Sequence, residues 1–234
     1  MNALSRKLGF WSALLCTLTF VLFTICFVAI LATSPLFVWT NLAAYVAYVQ
    51  ENNQFFKHLA QLAMLLFGPL FVLLLSSIHD YAHAERKVLA RTAISFGAIF
   101  AALSGIHYFV QLSIVRHNVA GGELQGLEQF VQANPAAAVL AINMLGFTLF
   151  LGLASLFVAP VFGGNRLENA IRYSFLANGV FCLLGGVGYA LQISWLVFLC
   201  TNLGMGGALL AATIALCVLF GRPILAVDRD PLTL

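Results

Sequence analysis

Charged residues are absent from five long stretches of the chain: Leu8–Gln50, His58–His79, Thr92–Val115, Gln129–Asn165 and Tyr173–Gly221. A helix needs about 20 consecutive apolar residues to cross a bilayer core. Each stretch is long enough to cross once, and the last is long enough to cross twice, with Gln192 and Ser194 marking the break. The pattern predicts an all-α, polytopic transmembrane bundle of six spanning helices, at about 9–32, 58–79, 90–116, 136–161, 170–191 and 194–219. Residues 1–221 would form the single bundle and 222–234 a short tail, which reads as disordered around Asp228, Arg229 and Asp230.

Two of the gaps between spans are themselves patterned. Residues 36–50 put Val38, Leu42, Tyr45 and Val49 on one stripe beside Trp39 and Val46. Residues 123–133 put Leu124, Leu127 and Val131 on one stripe against Glu123, Gln125, Glu128, Gln129 and Gln132. Both predict short amphipathic helices in the outer interface, the first with a re-entrant segment as its alternative. The two hairpins also align at an offset of 82 residues: Tyr48-Val49-Gln50-Glu51-Asn52 on Phe130-Val131-Gln132-Ala133-Asn134, and Gln61 on Asn143. As a true repeat this would be a parallel one, of the kind found in transporters among other proteins.

The cations sit in alternate gaps. Arg6, Lys7, Arg86, Lys87, Arg91, Arg166, Arg172, Arg222 and Arg229 fall on one side, and Lys57 and Arg116 on the other. The positive-inside rule places both termini in the cytoplasm, with the first span an uncleaved signal-anchor. The chain is 62% hydrophobic and 8% charged, against roughly 25% charged in a soluble domain, and no basic cluster suits nucleic acid. Cys16, Cys26, Cys182, Cys200 and Cys217 lie within apolar stretches without a CxxC spacing, as small apolar residues do.

No Asp, Glu, Lys or Arg occupies the middle of a predicted span, which argues against a proton or sodium pump, a retinal protein and a voltage sensor. Neutral polar residues gather instead at one depth on the outer side. Ser104, His107 and Gln111 share a helix face at i, i+3 and i+7, with Tyr108 beside them, and Gln61, Asn143 and Asn202 fall at similar depth on three other helices. Two explanations compete for this layer. It is a set of interhelical hydrogen bonds, or it lines an outward-facing polar pocket for a ligand. A second cluster, His79-Asp80-Tyr81-Ala82-His83, offers His79, Asp80 and His83 as candidate metal ligands if the helix carries both histidines on one face, against an ordinary polar helix end at the headgroups. Bis-histidine haem, a serine–histidine dyad and the GxSxG, HExxH and Walker motifs find no support, and no cofactor is expected.

Some residues read as packing devices. Gly68-Pro69 should kink the second span; Gly204, Ala208 and Ala212, with Gly185, Gly186 and Gly188, should let the last two spans approach; and Glu168 and Arg172 are spaced for a surface ion pair.

The segments His107-Tyr108-Phe109-Val110-Gln111-Leu112, Gly122-Glu123-Leu124-Gln125-Gly126-Leu127 and Ala159-Pro160-Val161-Phe162-Gly163-Gly164-Asn165-Arg166-Leu167-Glu168 together resemble a bacterial family of uncharacterised, about six-helix inner-membrane proteins. The resemblance covers roughly the second half of the chain. It implies a bacterial inner membrane and transfers no activity. The residues themselves suggest a non-enzymatic membrane protein that binds, senses or passes a small neutral or amphipathic molecule. The alternatives are an accessory subunit that docks a membrane protein partner without a ligand and, behind it, a metal-dependent membrane enzyme. Its expected surroundings are the lipid bilayer and no nucleic acid.

Overall fold

The computed structural model describes residues 1–222, so the tail at 223–234, including Asp228, Arg229 and Asp230, lies outside the described residues. Six helices are long and apolar enough to span a membrane: α1 (Ala3–Thr33), α3 (Phe55–Tyr81), α4 (Ala84–Gly121), α5 (Ala138–Val161), α6 (Arg166–Ala190) and α7 (Ser194–Gly221). The short α2 (Leu42–Glu51) lies between α1 and α3. Helix is the form that lets an apolar segment satisfy its own backbone in lipid. The starts are set by polar side chains. Asn2 accepts from Ser5 N at 2.7 Å, Asn41 accepts from Ala44 N at 2.9 Å, and Asn165 accepts from Leu167 N and Glu168 N at 3.0 Å.

Consecutive spans are neighbours, and α7 closes back on α1, so the six form a ring. We call the end carrying Arg6, Arg86 and Arg222 basal and the other distal. Arg6 donates to Arg222 O at 3.0 Å there, joining the start of α1 to the residue that follows α7. The ring centre is filled by aromatic side chains. Phe67 and Phe71 of α3 stack at 5.8 Å, and Phe100 of α4 stands edge-on to both and to Phe147 of α5 at 4.9 Å. Such edge-to-face pairs add to the area they bury.

The basal loops are tied by polar contacts. Tyr81 Oη donates to Glu168 at 2.8 Å, Gly163 N donates to the same carboxylate at 3.1 Å, and Arg86 donates to Pro160 O at 2.8 Å. The expected Glu168–Arg172 ion pair does not form, because Tyr81, Gly163 and Asn165 take the Glu168 oxygens.

At the distal end α2 forms as the hydrophobic stripe requires, burying Leu42 and Tyr45 against Val115, Val119, Leu127 and Val131. The second amphipathic helix does not form over 123–133. A single 3₁₀ turn, Leu127–Phe130, takes its place. Gly122 and Gly126 adopt φ of 77° and 75°, a left-handed conformation that ends α4 and breaks any continuing helix. Leu127 and Val131 are buried all the same. The spans α3 and α5, which the 82-residue offset would equate, begin at Phe55 and Ala138.

Glycine governs how close the helices come. The ring of Phe181 on α6 lies over Gly204 on α7 and occupies the place of a Cβ there. Gly185 faces Thr201 of α7 and Gly186 faces Thr148 of α5, each Cβ position 3.0 Å from the threonine. A Cβ on Gly68 of α3 would lie 3.0 Å from Ala101 Cα of α4, and α3 runs on through Pro69. Gly204→Leu must expel Phe181 and should destabilise the purified protein by about 2 kcal/mol in chemical denaturation. Unfolding that matches wild type would disprove the close packing.

Candidate functional site

The distal polar layer is organised by a loop, not by helix-to-helix contacts alone. Gln111 of α4 clamps the backbone just after the 3₁₀ turn. Its Nε2 donates to Phe130 O at 2.6 Å and its Oε1 accepts from Gln132 N at 3.1 Å. Gln61 of α3 donates through Nε2 to Gln132 Oε1 at 2.8 Å. His107 Nδ1 lies 3.1 Å from Val139 O at the start of α5, and His107 and Gln132 line the same cavity. Gln132 is therefore the hub that joins α3, α4 and the loop leading into α5. Sequence analysis placed it only on the polar face of an amphipathic helix. Its place in the Val-Gln-x-Asn motif was the signal that singled it out.

Val139 O can only accept, so Nδ1 of the neutral His107 ring carries the proton. Gln132 Oε1 takes the Gln61 donor. Gln61 Oε1 is then left over, and it is buried without a partner. Asn143 Oδ1 on α5 is likewise buried and unpartnered, while its side chain neighbours the Tyr108 hydroxyl. Two buried carbonyl oxygens thus stand without donors, at a cost of about 1–3 kcal/mol each unless something supplies one.

Both oxygens belong to residues that line one cavity of about 220 Å³, walled also by Phe23, Phe27, Lys57, His107, Tyr108 and Gln132. A groove of about 400 Å³ between α1 and α7 shares Phe23, Phe27, Tyr108 and Asn143 with it. That groove is apolar and is lined by Phe20, Met64, Phe147 and Phe198. On the other side, Lys57 and Gln61 also border a vestibule of about 290 Å³ below α2, with Tyr45, Gln54, His58, Gln111 and Arg116. Lys57 is half-buried and donates to Tyr45 Oη at 2.8 Å. Burial, with the nearby Tyr48 adding to it, pushes the Tyr45 phenol up to about 12, so Lys57 has a neutral partner. Lys57 sits in the first turn of α3, where the charge pattern alone marks it only as a loop cation.

The remaining expected residues are placed as follows. Ser104 is buried one turn deeper, with its Oγ 3.3 Å from where a Cβ on Gly68 would lie, and donates to Ala101 O in its own helix. Asn202 does not meet the others inside the bundle. It is exposed and bonds Phe198 O and Thr201 Oγ1 at 3.3 Å, although it lines the outer part of the apolar groove. Its helix passes through a π-helical segment, Leu199–Met205, which turns the face that regular spacing would assign. Similar segments lie at Gln111–Val115 and Gly146–Phe150, next to Gln111 and Asn143. Asn178 of α6, not singled out from sequence, makes a true interhelical bond to Ser155 Oγ of α5 at 2.7 Å.

The basal candidates separate. Helix α3 ends at Tyr81, so His83 lies beyond it and the helical spacing from His79 is lost. His79 Nδ1 is 3.6 Å from Asp80, and Asp80 accepts a hydrogen bond from Ser5. Among the described residues, no group of three or more His, Cys, Asp or Glu side chains is placed to hold a metal ion.

No family model, curated protein or solved structure matches this chain. The function therefore has to be read from the site.

The Gln111 clamp gives a direct test. Gln111→Leu removes two hydrogen bonds and strands Phe130 O and Gln132 N, so it should lower unfolding stability by about 2 kcal/mol. A loss no larger than that of a lipid-facing change such as Ile114→Ala would contradict the clamp.

Proposed function

We propose that this is an integral membrane protein that binds an amphipathic small molecule carrying hydrogen-bond donors, such as hydroxyls, in its distal half. The polar end enters the 220 Å³ cavity and the apolar end lies in the groove between α1 and α7. The observation that carries this reading is the pair of unpartnered buried oxygens, Gln61 Oε1 and Asn143 Oδ1, on residues that line a cavity shared with an apolar groove. A donor-bearing ligand supplies what those oxygens lack, and the groove offers its chain an apolar wall. Phe67, Phe71, Phe100 and Phe147 fill the bundle centre basal to this level, which favours binding or sensing over passage across the membrane. The excess of Lys and Arg at the basal end orients the cavity away from the cytoplasm, and the resemblance noted from sequence would make the membrane a bacterial inner one.

An accessory subunit without a ligand is the second reading. What favours it is that His107 and Gln111 direct their hydrogen bonds to Val139 and to the Phe130–Gln132 loop, a structural use.

Asn143→Leu separates the two. It removes an unpaired oxygen and fills the cavity wall, so stability should stay within about 0.5 kcal/mol of wild type or rise. Retention of monoolein, a neutral chain with a two-hydroxyl head, should fall sharply when measured by native mass spectrometry in an uncharged detergent. Undiminished monoolein retention, or destabilisation matching Gln111→Leu, would support the accessory role instead.

A further inference from the structure

The charged residues that line the vestibule below α2, Lys57 and Arg116, are of one sign, and no Asp or Glu lines it. Among the described residues no carboxylate lies within ion-pair distance of Lys57 or Arg116. The Lys57 ammonium is half-buried, makes its hydrogen bond to a phenol, and stands 4.8 Å from the centroid of the same ring. An ammonium has three donors, and one phenol satisfies one of them. A cation removed from water without a counter-charge is unfavourable, and an anion delivered to it relieves that cost.

The second observation is position. Lys57 and Gln61 line both the vestibule and the inner cavity, so they form the partition between a basic space and one with unpartnered acceptors. Gln61 is 3% exposed, and its free oxygen is buried at that partition. A ligand that spans the partition meets acceptors on one side and cations on the other.

We infer that the vestibule is the binding site for an anionic group, a carboxylate or phosphate, held by Lys57 with Arg116 at the rim. The inference rests on the amphiphile reading of the inner cavity and extends it: the ligand is an anionic amphiphile whose charged group sits on Lys57 and whose hydroxyls reach Gln61 and Asn143. The shared chemistry is the anion, whether it arrives on a lipid headgroup or free from solution.

The test uses the full chain in an uncharged detergent, with thermal midpoint and native mass spectrometry as readouts. The probes are lysophosphatidic acid, lysophosphatidylcholine of the same chain and inorganic phosphate alone. Wild type should retain lysophosphatidic acid in preference to lysophosphatidylcholine. Lys57→Gln should weaken that binding by about tenfold or more, and Lys57→Arg should recover most of it. Lys7→Gln, at the basal end, should leave it unchanged. If phosphate alone competes and is lost in Lys57→Gln, the site stands and its anion comes from solution. Equal retention of the two lipids with no response to phosphate, or equal anion binding by wild type and Lys57→Gln, would overturn the inference. If Lys57→Gln does not fold, Arg116→Gln carries the same comparison. Monoolein binding that survives while anion preference is absent would remove the anion site alone. Loss of monoolein binding in wild type would remove the amphiphile reading itself.

Discussion

Backbone that leaves the helical ladder near a bilayer must find its hydrogen bonds elsewhere. In this protein that demand falls on the segment Phe130–Gln132, which follows a 3₁₀ turn at the distal end of the bundle. Gln111 meets it from α4, Gln61 holds the Gln132 side chain, and Val131 anchors the segment in the small apolar core under α2. Beside this held loop, Gln61 and Asn143 each keep an oxygen without a protein partner, and both residues line one cavity with Lys57.

Three spaces of different character then adjoin one another: a basic vestibule, a cavity with unpartnered acceptors, and an apolar groove toward α1 and α7. Shared walls link them, with Lys57 and Gln61 between the first two and Phe23, Phe27, Tyr108 and Asn143 between the last two. The order of charge, hydrogen-bond acceptor and apolar surface is that of an amphiphile laid head to tail. Toward the basal end the helices change to aromatic packing, and the α5–α6 contact is held by the Asn178–Ser155 bond. Asn178 Oδ1 is also buried without a partner, but only Gln61 and Asn143 carry their unpartnered oxygens on residues that line a cavity joined to the apolar groove.

The six spans were legible because their signal is additive: an uncharged run of sufficient length is helical in lipid whatever surrounds it. Close packing of the last two spans at Gly204 and Gly185 was also legible, since small side chains admit a neighbour, whereas Gly186 packs on Thr148 of α5 instead. The grouping of Gln61, His107 and Asn143 was legible in part: all three line one cavity. Asn202 faces outward, since a π-helical segment shifts the phase of α7. For the hub, the Val-Gln-x-Asn motif marked Gln132 but not its role, because Gln132 acts through partners far away in sequence, and Gly122 and Gly126 replace with turns the helix that its periodicity suggested. Lys57 was hidden by its place at the margin of a span, where a cation is ordinary unless its partner is known to be neutral.

In the proposed function the distal polar layer encloses an accessible pocket above an aromatic barrier. Cysteine accessibility in lipid nanodiscs measures that access, with a charged, water-borne thiol reagent on a background whose native cysteines are replaced. A thiol reacts as its thiolate, which requires a wet environment. Asn143→Cys should react, and should be protected by a bound amphiphile, whereas Phe100→Cys, basal to it in the aromatic layer, should remain inert. An unreactive Asn143→Cys in a folded protein would show that the layer is closed and serves only to hold the helices together.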